Sequence, residues 1–237
     1  MYICAEMRLC AILVITLAAA LAEDFWAIRQ PDQWSEQEIK RIVTDSPWAR
    51  EVTAHIKGSD ALFDTPLAAG TPSPAPRIVV RWDSAVPVRE ACSKGGMERY
   101  LFSCASKLLF LSGLSKKFEE LSKEFYIVSM SNYPNTLPAK DRDAPQHSEA
   151  ANAALERLSE RVQHRTFLKR KGKDPIKPAR VVTLPAGQTL LLMVFFPRAA
   201  SLTLDDKEVS FESADGTVEV RTKFNLGKMI YGGRLEL

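Results

Sequence analysis

The sequence predicts an α+β protein: a largely antiparallel β-sheet, with a sandwich-like form as one version of it, and several packed helices. Three observations predict it. Segments with apolar residues three and four apart, as on one helix face, fall in the N-terminal and central chain. From Thr166 onward, β-branched and aromatic runs of strand length dominate. Asp215-Gly216 separates two alternating segments, Val209–Phe211 and Val218–Val220, where glycine supplies the positive φ of a hairpin turn.

The chain opens on an expected secretory leader. Leu9–Leu21 is nearly all Leu, Ile, Val and Ala, Arg8 precedes it, and Ala20-Leu21-Ala22 closes it with small residues. Basic flank, apolar core and A-x-A exit are the parts of a signal peptide. The run is shorter than the ~20 apolar residues that a membrane-spanning helix needs, and it ends in Glu23-Asp24. Residues 1–22 are therefore expected to be removed, with a periplasmic or secreted product. Residues 23–237 are then expected to form one α+β domain. It should carry a Pro-rich loop at 68–76 and a helical insertion at about 92–124.

The elements follow in order. In Trp34-Ser35-Glu36-Gln37-Glu38-Ile39, Ser35 as N-cap and Glu38 make a capping box, and Trp34 with Ile39 a hydrophobic staple. The helix should run to Thr44, burying Ile39, Ile42 and Val43, and stop before Pro47. Glu51–Lys57 alternates as a strand, with Val52, Ala54 and Ile56 on one face. Arg77–Trp82 is a strand, and Pro87–Ala91 a short helix opened by proline. Glu98–Leu111 and Leu114–Lys123 read as helices, Phe125–Met130 as a strand, and Asn132–Pro145 as loop. Ser148–His164 is an amphipathic helix with Ala154, Leu155, Leu158 and Val162 inward. Ala179–Leu184 and Thr189–Phe196 are strands, and the second is apolar on both faces and hence central.

Composition excludes more than it assigns. The net charge of +3 survives loss of the leader, which removes Glu6 and Arg8 together. That excess is too small to argue for a nucleic-acid partner. Two of the four cysteines leave with the leader, so Cys92 and Cys104 remain for a disulfide in an oxidising compartment. On one continuous helix they would stand about 18 Å apart, beyond the ~7 Å that a bridge allows. Pairing therefore requires Gly95-Gly96 to fold the chain back; two buried thiols are the alternative.

No catalytic signature emerges. His55, His147 and His164 form no paired zinc-ligand spacing. No G-x-S-x-G elbow and no phosphate-cradling glycine loop occurs, and neither a metal nor a cofactor is expected. Asp45, Asp64, Asp83 and Asp141 are candidate carboxylates for a hydrolase, although capping and turn roles are commoner for aspartate. The one cationic cluster, Lys169-Arg170-Lys171-Gly172-Lys173, is a candidate surface for an anionic polymer, lipid headgroups or an acidic partner. A solvated β-connection is the plainer reading. Trp34, Trp48 and Trp82 are candidates to stack on a sugar, with core packing as the commoner role.

The segments WSEQEIKRIVTDSPWA (residues 34–49), RIVVRWDSAVPVREA (77–91) and KRKGKDPIKP (169–178), with the tail LTLDDKEVSFES…VEVRTKFNLGKMIYGGRLEL, resemble a family of exported acidobacterial proteins. The resemblance implies export and one shared architecture, and it brings no activity, ligand or site residue. The function expected is a non-enzymatic envelope or secreted protein that binds an envelope protein or an anionic polymer. The alternative is a hydrolase that uses acidic residues on an extracytoplasmic substrate.

Overall fold

A computed structural model of the chain describes residues 25–57, 75–94, 115–142, 144–145 and 148–237. The expected leader, the Pro-rich loop but for its last two residues, the Glu98–Leu111 helix, Asp64, Cys104 and His147 lie outside them. Among the described residues, the α-helices are α1 (Phe25–Ile28), α2 (Glu36–Thr44), α3 (Val86–Lys94), α4 (Ser115–Glu124), α5 (Ala139–Arg142) and α6 (Glu149–His164). No described helix is long and apolar enough to cross a membrane.

The capping box forms as read. Ser35 Oγ accepts from the Glu38 amide at 3.3 Å, and Glu38 Oε2 accepts from the Ser35 amide at 2.9 Å. Helix α2 buries Ile39, Ile42 and Val43. The strand expected over Glu51–Lys57 begins earlier and breaks once, into β1 (Ala49–Thr53) and β2 (His55–Ile56). The break has a purpose. β1 pairs with β3 (Arg77–Trp82) and β2 with β9 (Val218–Asn225), so the chain changes sheets at buried Ala54, whose amide donates to Pro76 O at 2.9 Å.

Two antiparallel sheets result. The first has the order β1-β3-β4-β7-β6, where β4 is Phe125–Pro134, β6 is Arg180–Ala186 and β7 is Thr189–Pro197. The second has the order β2-β9-β8-β5, where β5 is Phe167–Arg170 and β8 is Glu208–Ala214. A short hairpin of β10 (Ile230–Tyr231) and β11 (Arg234–Leu235) ends the fold. The expected class, an α+β protein with mostly antiparallel sheets, is what the chain adopts.

The main core takes Ile78, Val80 and Trp82 from β3, Val128 and Met130 from β4, and Leu192, Val194 and Phe196 from β7. The facing sheet contributes Val209, Phe211, Val218, Val220 and Phe224. Strand side chains alternate between faces, so Ile127, Leu191, Met193 and Phe195 point the other way, into a second cluster closed by Phe118 of α4. β7 is thus buried on both faces, as its composition requires.

One further element departs from expectation. Asn132–Pro145 is not all loop: β4 continues to Pro134 and α5 follows. Asn132 adopts φ 58° and the pairing to β7 shifts register between Met130 and Tyr133, so the strand bulges and resumes. Helix α6 keeps its expected inward face: Ala154, Leu158 and Val162 are buried together with Ser159, and half-buried Leu155 packs against the same core. It is fastened to β6 by Ser159 Oγ and Thr183 Oγ1, 2.8 Å apart.

Five aromatic rings close a loop of edge-to-face contacts: Phe25–Trp26 (4.9 Å), Trp26–Trp48 (5.6 Å), Trp48–Tyr231 (6.4 Å), Tyr231–Trp34 (6.4 Å) and Trp34–Phe25 (6.1 Å). Such pairs add roughly 0.5–1.5 kcal/mol each beyond their buried area. The Trp48 indole also donates to Glu236 O at 2.8 Å. The first described helix and the C-terminal hairpin are thereby sewn together. Trp48 and Trp82 are both 0% exposed, which removes them from any sugar-stacking surface.

A charged pair is built into this packing. Arg81 Nε donates to Asp83 Oδ1 at 2.5 Å, with the side chains 0% and 2% exposed, and Arg81 Nη1 reaches Val43 O at 3.3 Å. Removing one partner strands a buried charge. Asp83→Ala should therefore cost about 3–5 kcal/mol, read as a lower urea midpoint at unchanged slope. A loss below about 1 kcal/mol, the size of an exposed pair, would contradict the assignment.

Candidate anion-binding site

The basic segment does not trail as an open connection. β5 pairs with β8, and beyond Arg170 the chain turns back through Gly172 (φ 70°). Ile176 then bridges Leu168 in both directions, at 3.0 and 2.8 Å. The turn gathers the expected cations at one edge of the second sheet.

Cross-strand register adds residues far away in sequence. Lys169 faces Ser210 of β8, and Ser210 faces Lys223 of β9. The short 3-10 turn Leu204–Asp206 lies just before β8. These parts enclose an open depression of about 660 Å³. Its lining holds six cations (Lys169, Arg170, Lys171, Lys173, Lys207 and Lys223) against three carboxylates (Asp205, Asp206 and Glu208), with Ser210 between them.

The cations divide by what already holds them. Lys169 Nζ meets Glu212 at 2.6 Å, Lys173 Nζ meets Asp206 at 2.5 Å, and Lys223 Nζ meets Glu208 at 2.8 Å. The Arg170 guanidinium donates to Ser201 O at 3.1 Å and Asp174 O at 3.3 Å, pinning the turn. Among the described residues, Lys171 and Lys207 make no ion pair, and both are exposed. Asp205 on the same lining is likewise exposed and outside any ion pair, so these unpaired groups leave a net positive charge.

Asp206 organises the depression. Its side chain is 1% exposed; Oδ1 takes Lys173 and Oδ2 accepts the Thr203 amide at 2.9 Å. Burial pushes this carboxyl upward. The Lys173 and Thr203 hydrogen bonds and the charges of Lys173 and Arg170 outweigh that and hold it below the ordinary aspartate range. Next to it, Lys207 sits at φ 57°, ψ −53°, a region that non-glycine residues seldom occupy. Such conformations cost about 1–3 kcal/mol and persist only where the surroundings impose them. Here the Lys207 carbonyl accepts from Leu226 at 2.8 Å, and its amide donates to Leu204 O at 3.0 Å.

Among the described residues, the candidate hydrolytic carboxylates Asp45, Asp83 and Asp141 each take a separate basic partner. Asp45 is at the C-cap of α2 beside Arg50 (3.4 Å), Asp83 is buried against Arg81, and Asp141 on α5 faces Arg157 (3.5 Å). Cys92 is buried on α3, and its expected partner Cys104 lies outside the described residues. No three His, Cys, Asp or Glu side chains among the described residues converge as a metal ion would need. Searches against protein-family models, curated proteins and solved structures gave no match for the chain.

The sign of the Asp206 effect is testable. A carboxyl held below its unfolded value stabilises the fold fully above that value, and the contribution fades as pH falls through the lowered one. The stability gap between the natural protein and Asp206→Asn should be constant above the unfolded value near 3.8 and narrow below it. A gap that widened on acidification in urea titrations would refute the role given to Asp206.

Proposed function

We propose that the chain is an exported, non-enzymatic binding protein whose target in the cell envelope is anionic. The carrying observation is the depression of Lys169, Arg170, Lys171, Lys173, Lys207 and Lys223, where internal pairing absorbs three lysines and leaves Lys171 and Lys207 exposed. Exposed ion pairs are worth about 0–1 kcal/mol, so Lys169 and Lys223 can also re-partner with an arriving anion. The leader expected at residues 1–22 supports an extracytoplasmic address. Dextran sulfate serves as a probe for the charge requirement. The protein should be retained on it at low salt and released as the Debye length falls below ~10 Å, near 0.1 M. The double variant Lys171→Glu, Lys207→Glu should bind roughly tenfold more weakly. Retention equal to the natural protein, or independent of salt, would remove this reading.

A further inference from the structure

Lys207 and Leu204 pose one question together. Among the described residues, the large apolar side chains left exposed are Ile28 and Leu204, and Leu204, at 51%, belongs to the turn that forms the wall of the basic depression. That turn is not loose. Asp206 fastens it from below through Lys173 and Thr203, and Lys207 keeps a backbone conformation that glycine would adopt without strain. The fold thus spends free energy on a fixed turn that carries an exposed leucine, with exposed Asp205 and Lys207 close to it in the chain and Lys171 and Lys173 lining the same depression.

A polymeric anion in water would reward the cations and leave the leucine idle. A lipid interface rewards both, because the apolar side chain enters the headgroup–acyl boundary while the cations meet anionic headgroups. Resting on the anionic-target reading above, we propose that the turn Thr203–Lys207 is a docking point for an anionic phospholipid surface. Leu204 inserts, and Lys171 and Lys207 contact headgroup phosphates. With a single leucine the attachment is weak and reversible, and each cation near the surface raises partition by roughly fivefold.

The test uses the processed chain, residues 23–237, sedimented at low salt with two kinds of vesicle. One contains equal parts phosphatidylglycerol and phosphatidylcholine, and the other contains phosphatidylcholine alone. Pelleting with the first and not with the second is expected. Leu204→Ala should lower that partition about five- to tenfold and leave retention on dextran sulfate unchanged. Lys207→Gly relieves the backbone strain and removes the charge, so it should weaken vesicle binding while melting no lower than the natural protein. Absence of pelleting with anionic vesicles overturns the docking point, as does wild-type partition of Leu204→Ala. If retention on dextran sulfate persists in either case, the target is an anionic polymer and the broader reading stands. If retention also fails, both fall.

Discussion

Everything in this fold hangs on one strand changing sheets. Residues 49–53 pair within the five-stranded sheet, and residues 55–56 pair within the four-stranded one. The switch at Ala54 needs a small side chain, because the position is buried between both sheets and its amide is already committed to Pro76 O. Joined there, the sheets can bury their facing sides in one core. The outer side of the four-stranded sheet then carries Glu208, Ser210 and Glu212 on β8 and Glu219, Arg221 and Lys223 on β9, a one-sided pattern usual for antiparallel sheets that meet water.

That asymmetry places the charge. The basic turn after β5 lies at the border of the polar face, and pairing through β8 brings Lys169 and Lys223 to either side of Ser210. Cα atoms two strands apart are separated by about 10 Å, close enough for one extended anionic surface to meet both lysines. Asp83 and Asp206 have different duties. Asp83 neutralises Arg81 inside the packing of β3, where its loss would leave a charge without water. Asp206 holds a surface turn in shape, and its stabilisation goes into a conformation that the local backbone resists.

Much of the scaffold was legible because local chemistry and tertiary structure agree. Ser35 and Glu38 cap α2 whatever the helix packs against, and Asp215-Gly216 turns the β8–β9 hairpin, with Gly216 at φ 106° and Asp215 Oδ1 accepting the Thr217 and Val218 amides at 2.7 Å. The continuation of β4 was hidden because Asn132-Tyr133-Pro134-Asn135 carries turn residues. Its asparagine serves a bulge that only the pairing to β7 explains. The four cations of the site were visible as a charge run. Asp206, Lys207, Glu208 and Lys223 were not, since the first two join the run through the turn ahead of β8 and the others through the strands that pair beside β5. Leu204 resembled any apolar residue of a strand-rich tail, and its exposure follows from the turn that Asp206 fixes.

The central claim is that one corner of the molecule, and not its faces at large, meets an anionic target. Amide NMR of isotope-labelled protein, titrated with bicelles containing phosphatidylglycerol, tests this residue by residue. The account predicts shifts confined to residues 169–173, 203–210 and 223, with the buried Trp48 and Trp82 indole signals unmoved. Shifts centred elsewhere on the surface, or none at this corner, would contradict it.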